Sequence, residues 1–208
     1  MYKSLLTKKF FRDNPIEELS TQRFVYSILT HNGIEELANE YVLEYADLGA
    51  ERLERIKKER EQIQSEQDPD EFLNLLRKNL ELNNRVDLVK RVLEFEEELV
   101  PKVVEKLVRS DNDNFIDNAM RLLARSEQDY SPLLYKRFNE IRRPYVQSMV
   151  CLILGIRGGE EIIPWMINQY QEMKRLYPDE TYNQGPLLAL HELKYRFYDK
   201  KQPVAQKE

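Results

Sequence analysis

Apolar residues recur at helical spacing through most of this 208-residue chain, and three stretches repeat nearly the same pattern. Residues 99–107, 130–138 and 162–170 open on Leu99, Tyr130 and Ile162, carry a proline two residues later, and continue with apolar positions three and four apart. Pro101, Pro132 and Pro164 stand 31 and 32 residues apart. A proline in the first turn of a helix costs nothing, because the N–H it lacks has no intrahelical partner there, so all three predict helix starts. A second helical pattern lies between them, over residues 86–93, 116–123 and 146–153, each offset by 30. Residues 111–114, Asp-Asn-Asp-Asn, supply capping oxygens before one of these helices, the Arg142-Arg143-Pro144 turn enters the next, and Gly155, Gly158 and Gly159 end it. The last pair is stretched by residues 177–181 before a closing helix from about Tyr182 to Tyr198.

The first third follows another pattern. Pro15 opens a helix to about Leu29, Asn32 and Gly33 break it, and a second run from Ile34 towards Gln64 reads as one long helix or two shorter ones. Ile34, Leu37, Tyr41, Tyr45 and Leu48 form a stripe, whereas residues 51–67 are mostly charged, with Leu53, Ile56 and Ile63 on one side. Pro69 marks the boundary. The expected organisation is an acidic helical cap over 1–68, helical repeats over 69–198 and a flexible tail over 199–208.

A two-helix unit of about 30 residues cannot bury its apolar faces alone, so successive units must stack. The residues resemble HEAT repeats over about 70–198. In that family the second helix follows an Asp-containing turn and runs through Val and small residues to Ala-Leu-Gly. Here Asp113, Ile116, Ala119, Leu122 and Leu123 match in one unit, and Val146, Met149, Ile153, Leu154 and Gly155 in the next. The chain departs where the family often has Arg after the Val or Ile, since Asp87, Asp117 and Gln147 stand there. The resemblance implies an all-α, right-handed α-α superhelix, a HEAT-like solenoid of about four helix pairs with an extra N-terminal helical cap.

Composition narrows the classes further. Six glycines argue against turn-rich β folds and Gly-rich nucleotide folds, and one cysteine excludes an internal disulfide framework and fits a reducing cytoplasm. The net charge of −5 is concentrated in residues 15–69, where thirteen carboxylates face six basic side chains. A groove for nucleic acid normally carries a basic excess, which is absent. The amino end lacks a signal-peptide core, and the most apolar run, residues 149–156, is too short to span a bilayer, so a soluble cytoplasmic protein without a membrane partner is expected.

Candidate chemistry is sparse. His31 sits in the break at residues 30–33 and His191 beside Glu192, without metal-ligand spacing. The Asp111–Asn114 cluster lacks the Gly and the distal Glu of a calcium loop, because Ile116 and Leu122 occupy those positions. Gly155–Gly159 has no strand before it and two carboxylates after it, which suits a helix end and not a phosphate. Cys151 lies on an apolar face with no base near it in sequence. No catalytic residue, metal site or cofactor is therefore expected.

The most suggestive feature is a pair of i,i+4 couples, Asp87 with Arg91 and Asp117 with Arg121, which predict a ladder along the second helices. Arg91, Asp117, Arg121, Arg125, Arg142 and Arg143 are the candidate partner-binding residues. The function expected is a non-catalytic protein–protein interaction or scaffold module that holds another protein or peptide on the concave face. Two alternatives stand beside it. The HEAT-like group includes alkylated-base DNA glycosylases, which implies a nucleic-acid binder or enzyme, although a basic groove is missing. The acidic first third, with Glu35, Glu36, Glu40, Glu44 and Asp47, could instead occupy a basic partner or pair with another copy.

Overall fold

A computed structural model describes residues 2–16 and 49–199, with the side chain of Leu82 excepted. Beyond Pro15 and Ile16, which are not helical, the helix expected to about Leu29, the break at Asn32 and Gly33, the stripe from Ile34 to Leu48, His31, the acidic residues 35–47 and most of the tail lie outside the described residues. Every regular element among those described is helical. They are α1 (Lys8–Asp13), α2 (Ala50–Ser65), α3 (Pro69–Leu75), α4 (Leu82–Leu93), α5 (Glu96–Leu107), α6 (Asp113–Arg125), α7 (Ser131–Arg137), α8 (Pro144–Arg157), α9 (Ile163–Leu176) and α10 (Gln184–Lys194). Short 3-10 turns cover Lys3–Leu5, Phe138–Glu140 and Glu160–Ile162, and a π turn covers Tyr195–Asp199.

The helix starts have local causes. Thr7 accepts from the Phe10 N–H, Asp68 from the Asp70 N–H and Asn112 from the Phe115 N–H, so side-chain oxygens satisfy donors that the first turns leave open. Pro132 and Pro164 are the second residues of α7 and α9, as their position in the repeated pattern predicts. Pro101 is not at a start. The helix begins five residues earlier at Glu96, with Leu99 donating to the Phe95 carbonyl at 2.9 Å, and Pro101 lies inside it. Glu96, Glu97 and Glu98 fill the first turn, where carboxylates suit the positive end of the helix, and the proline forgoes only the bond to the Glu97 carbonyl. Gly49, extended at φ −61° and ψ 151°, is the cap residue before α2.

The chain divides into two compact units, Arg23–Leu133 and a second formed by Met1–Gln22 with Leu134–Glu208; the division falls within α7. In the first unit, α2 packs on α4, α4 on α6 and α3 on α5, while α5 also meets α6. The buried stripe of α6, Phe115, Ile116, Ala119, Met120, Leu122 and Leu123, has the three-and-four spacing of one helix face, and Leu99, Val100, Val103, Val104 and Leu107 repeat it on α5. Polar contacts between helices run in parallel. Arg52 pairs with Glu81 at 2.7 Å, Asn84 donates to the Ile56 carbonyl at 2.9 Å, Arg85 to Asn114 at 3.3 Å, and Lys102 reaches Asp70 at 3.4 Å. These partners stand 28 to 32 residues apart in sequence. A longer link, 42 residues, is the buried Asn118 amide donating to the Leu76 carbonyl at 3.0 Å.

In the second unit α8 and α10 pack closely, and α9 lies against α10. Eight consecutive residues of α8, from Ser148 to Gly155, are buried, so this helix has no solvent face over that length. The close approach depends on glycine. A Cβ at Gly155 would lie 2.5 Å from the Cα of Ala189, and one at Gly185 would lie 2.1 Å from the Ser148 carbonyl oxygen. Arg196 closes the end of α8 by donating to the carbonyls of Gly155 and Gly158 at 2.7 and 3.0 Å. Residues 2–14 also belong here: Leu6 is buried, Phe10 and Phe11 meet Tyr170 and His191, and Tyr170 donates to Asn14 at 2.7 Å.

Gly185→Ala is expected to destabilise the protein by about 1–3 kcal/mol, because the methyl group meets backbone that cannot move aside. Gly159→Ala, whose methyl meets only the mobile end of Glu161, is expected to stay within about 0.5 kcal/mol of the parent. Urea unfolding of both variants measures the difference.

Candidate functional site

Four of the candidate residues, Arg91, Asp117, Arg121 and Arg125, belong to the first compact unit, and Arg142 and Arg143 to the second. The predicted Asp87–Arg91 couple is not formed. Asp87 pairs with Arg60 of α2 at 3.1 Å, while Arg91 pairs with Glu94 and donates to the Glu66 carbonyl at 2.9 Å. The Arg91 guanidinium also lies over the rings of Phe72 and Phe95, 6.0 and 5.6 Å from their centroids. It therefore clamps the end of α2 to α4, and its side chain is only 18% exposed. A partner on a neighbouring helix outcompetes one on the same helix, which spacing along one helix cannot reveal.

The couple on α6 does form. Asp117 and Arg121 approach to 3.6 Å, with the Arg121 side chain 11% exposed. Burial pushes the Asp117 carboxyl up, against the pull of Arg121 and Arg85. Arg125 donates to the Arg121 carbonyl at 3.1 Å, and burial together with the like charge of Arg121 brings its guanidinium down to about 10. In the second unit, Arg142 is exposed and Arg143, half-buried, is the residue before α8.

Sequence spacing does not reveal the other feature of the first unit, a groove of about 580 Å³ where the end of α4, the start of α5 and the turn after α6 come together. Glu94, Glu96, Glu97, Glu98 and Glu127 line it, with Lys90, Leu93, Phe95 and Gln128. Glu96 organises it. Its buried carboxylate accepts the N–H groups of Glu127 and Gln128, each at 2.9 Å, and so caps a turn 31 residues further along the chain. Tyr130 donates to the Glu96 carbonyl at 3.2 Å, and the Gln128 amide to Glu97 at 2.7 Å. Glu94 and Glu98 are held by Arg91 and Lys102. Chemically the rim suits a cation and repels phosphate. Its only legible signal was the run Glu96-Glu97-Glu98, which placing the helix start at Pro101 leaves outside the helix.

The remaining reactive side chains have structural surroundings. Cys151 is buried, and desolvation raises its thiol well above the ordinary range. Asn112 of the acidic cluster caps α6, and the Gly158 N–H closes α8 on the Leu154 carbonyl at 2.7 Å. His191 stacks on Phe11 with ring centroids 4.0 Å apart, and burial, then Lys194, lowers its pKa. Among the described residues, no group of three His, Cys, Asp or Glu is placed to hold a metal ion, and no helix is long and apolar enough to cross a membrane. No protein-family model, curated protein or solved structure matches the chain.

Replacing Glu96 by Gln leaves one of the two capped N–H groups facing an amide donor. The expected loss is about 1–3 kcal/mol, because a buried donor goes unsatisfied. Glu97→Gln, at an exposed position, is expected to change stability by less than about 0.5 kcal/mol. Equilibrium denaturation of the two variants compares them directly.

Proposed function

We propose that this chain is a non-catalytic interaction module, built as a right-handed array of HEAT-like helical repeats whose concave face holds a partner protein or peptide. The observation that carries the reading is the spacing of contacts in the first compact unit. Polar partners on different helices there stand mostly 25 to 34 residues apart, about one repeat. Alternate helices pack on each other, α2 on α4 on α6 and α3 on α5. Units that contact mainly the next unit are what a solenoid requires. Such arrays recognise partners over extended surfaces, and the second helices α4, α6 and α8 carry or adjoin the candidate arginines. Arg125 is the proposed contact in the first unit, with Asp117 and Arg121 setting the face on which it stands, and Arg142 and Arg143 are separate proposed contacts in the second unit. Arg91, engaged by Glu66, Glu94 and two rings, supports that face from within. The protein is proposed to act in the cytoplasm.

A second contact is favoured by the groove at Glu96: Glu97, Glu98 and Glu127 around Leu93 and Phe95 suit a lysine or arginine side chain, whose apolar stem and charged head match floor and rim. The nucleic-acid alternative loses support from the same carboxylates, because affinity for the phosphate backbone comes from cationic side chains.

Site-specific photocrosslinkers at positions 125 and 142 test the main reading in native extract, with position 57 on the exposed face of α2 as the control. A discrete adduct with one partner from both sites, lost when Arg143 is changed to Glu, is expected. Adducts no different from those at position 57 contradict it.

A further inference from the structure

In the second compact unit, residues 2–14 form a short segment fastened to α9 and α10. Its contacts are specific. Phe10 meets Tyr170 edge-on at 6.1 Å, Tyr170 donates to Asn14 at 2.7 Å, and the Tyr2 N–H reaches Glu160 at 3.4 Å. The central contact is Phe11 against the half-buried ring of His191, with centroids 4.0 Å apart and planes tilted by 42°. We propose that this segment is a pH-sensitive latch, in which neutral His191 holds Phe11 and protonation of His191 releases α1 from the face of α9 and α10.

The charged surroundings set the direction. The elements around His191 bring Lys8, Lys9, Arg12 and Asp13 from α1, Arg157 from α8, Glu172, Lys174 and Arg175 from α9, Glu192 and Lys194 from α10, and Arg196 and Asp199 from the π turn. Several are already matched: Arg12 with Asp13, Arg175 with Glu172, Lys194 with Asp199, and Arg196 with the carbonyls at the end of α8. Of these groups, Lys194 acts on the His191 ring and disfavours its protonated form. A protonated imidazole over an aromatic ring is attractive in isolation, but here the Lys194 ammonium already lies 5.9 Å from the Phe11 centroid. A second cation at the same ring adds repulsion to the loss of hydration.

Burial and Lys194 keep His191 below its ordinary value while Phe11 covers it. Released, the ring returns toward about 6.5, so the open state binds more protons. Docking is therefore strongest above that pH and weakens as pH falls through it. Glu160 does not contribute to the response, because the Tyr198 hydroxyl above all holds its carboxyl down to about 2.

Hydrogen exchange of the α1 amides in the full chain, corrected for the intrinsic pH dependence of exchange, reads the latch between about pH 7.5 and about pH 5. The native protein is expected to lose protection several-fold on acidification, and His191→Gln, which cannot titrate, is expected to lose none. A second reading uses reciprocity. With His31 replaced by Gln so that one imidazole remains, an NMR titration of His191 in a Phe11→Ala background must give a higher midpoint than with Phe11 in place, by one pH unit for each tenfold change in docking. Equal protection at both pH values, an equal loss in His191→Gln, or an unmoved midpoint overturns the latch.

Discussion

Helix α6 does not cover its apolar face within its own hairpin, and the packing of the first compact unit follows from that constraint. Helix α6 is thirteen residues long and buries seven of them, yet its partners, α4 and α5, precede it in sequence. A helix of this length is marginal in water by propensity alone, so its stability comes from packing against neighbours. The polar contacts obey the same rule. Asn84 ties α4 to α2, Lys102 ties α5 to α3, and Glu96 ties the start of α5 to the turn after α6. Each link joins residues 28 to 32 apart along the chain.

Side chains that sequence analysis marks as chemical are consumed by this arrangement to different degrees. Arg91 looks like a surface cation in sequence and is instead a clamp between two rings and a helix end. Glu96, marked by no motif in the sequence, is a buried cap for two backbone donors. Cys151 and His191 sit in apolar surroundings that disfavour their charged forms. Arg142 and the groove-rim residues Glu94, Glu97 and Glu98 are among the charged groups that stay exposed.

Much of the helical framework was legible, for reasons that can be named. Asp68 before Pro69, Asn112 in its polar cluster and Gly158 after an apolar run are local signals, and each marks the helix boundary it predicts. Pro132 and Pro164 succeed for the same reason. Pro101 misleads because a proline is tolerated early in a helix as well as at its start, and three glutamates ahead of it extend the first turn. The site was less legible. Of the two predicted i,i+4 couples, Asp117–Arg121 forms and Asp87–Arg91 does not, since α2 brings Arg60 to Asp87. The contact of Tyr170 with Asn14, 156 residues apart, leaves no periodic trace.

The claim that units couple mainly to their neighbours is measured most directly by double-mutant cycles of unfolding free energy. Phe72 of α3 and Phe95 at the start of α5, whose rings lie 5.4 Å apart, are expected to couple by about 0.5–1.5 kcal/mol when both are changed to Leu. Ile63 on α2 and Met120 on α6, each buried but on helices separated in the packing order by α4, are expected to add within about 0.5 kcal/mol when both are changed to Ala. Strong coupling of the distant pair, or independence of the near one, contradicts the account.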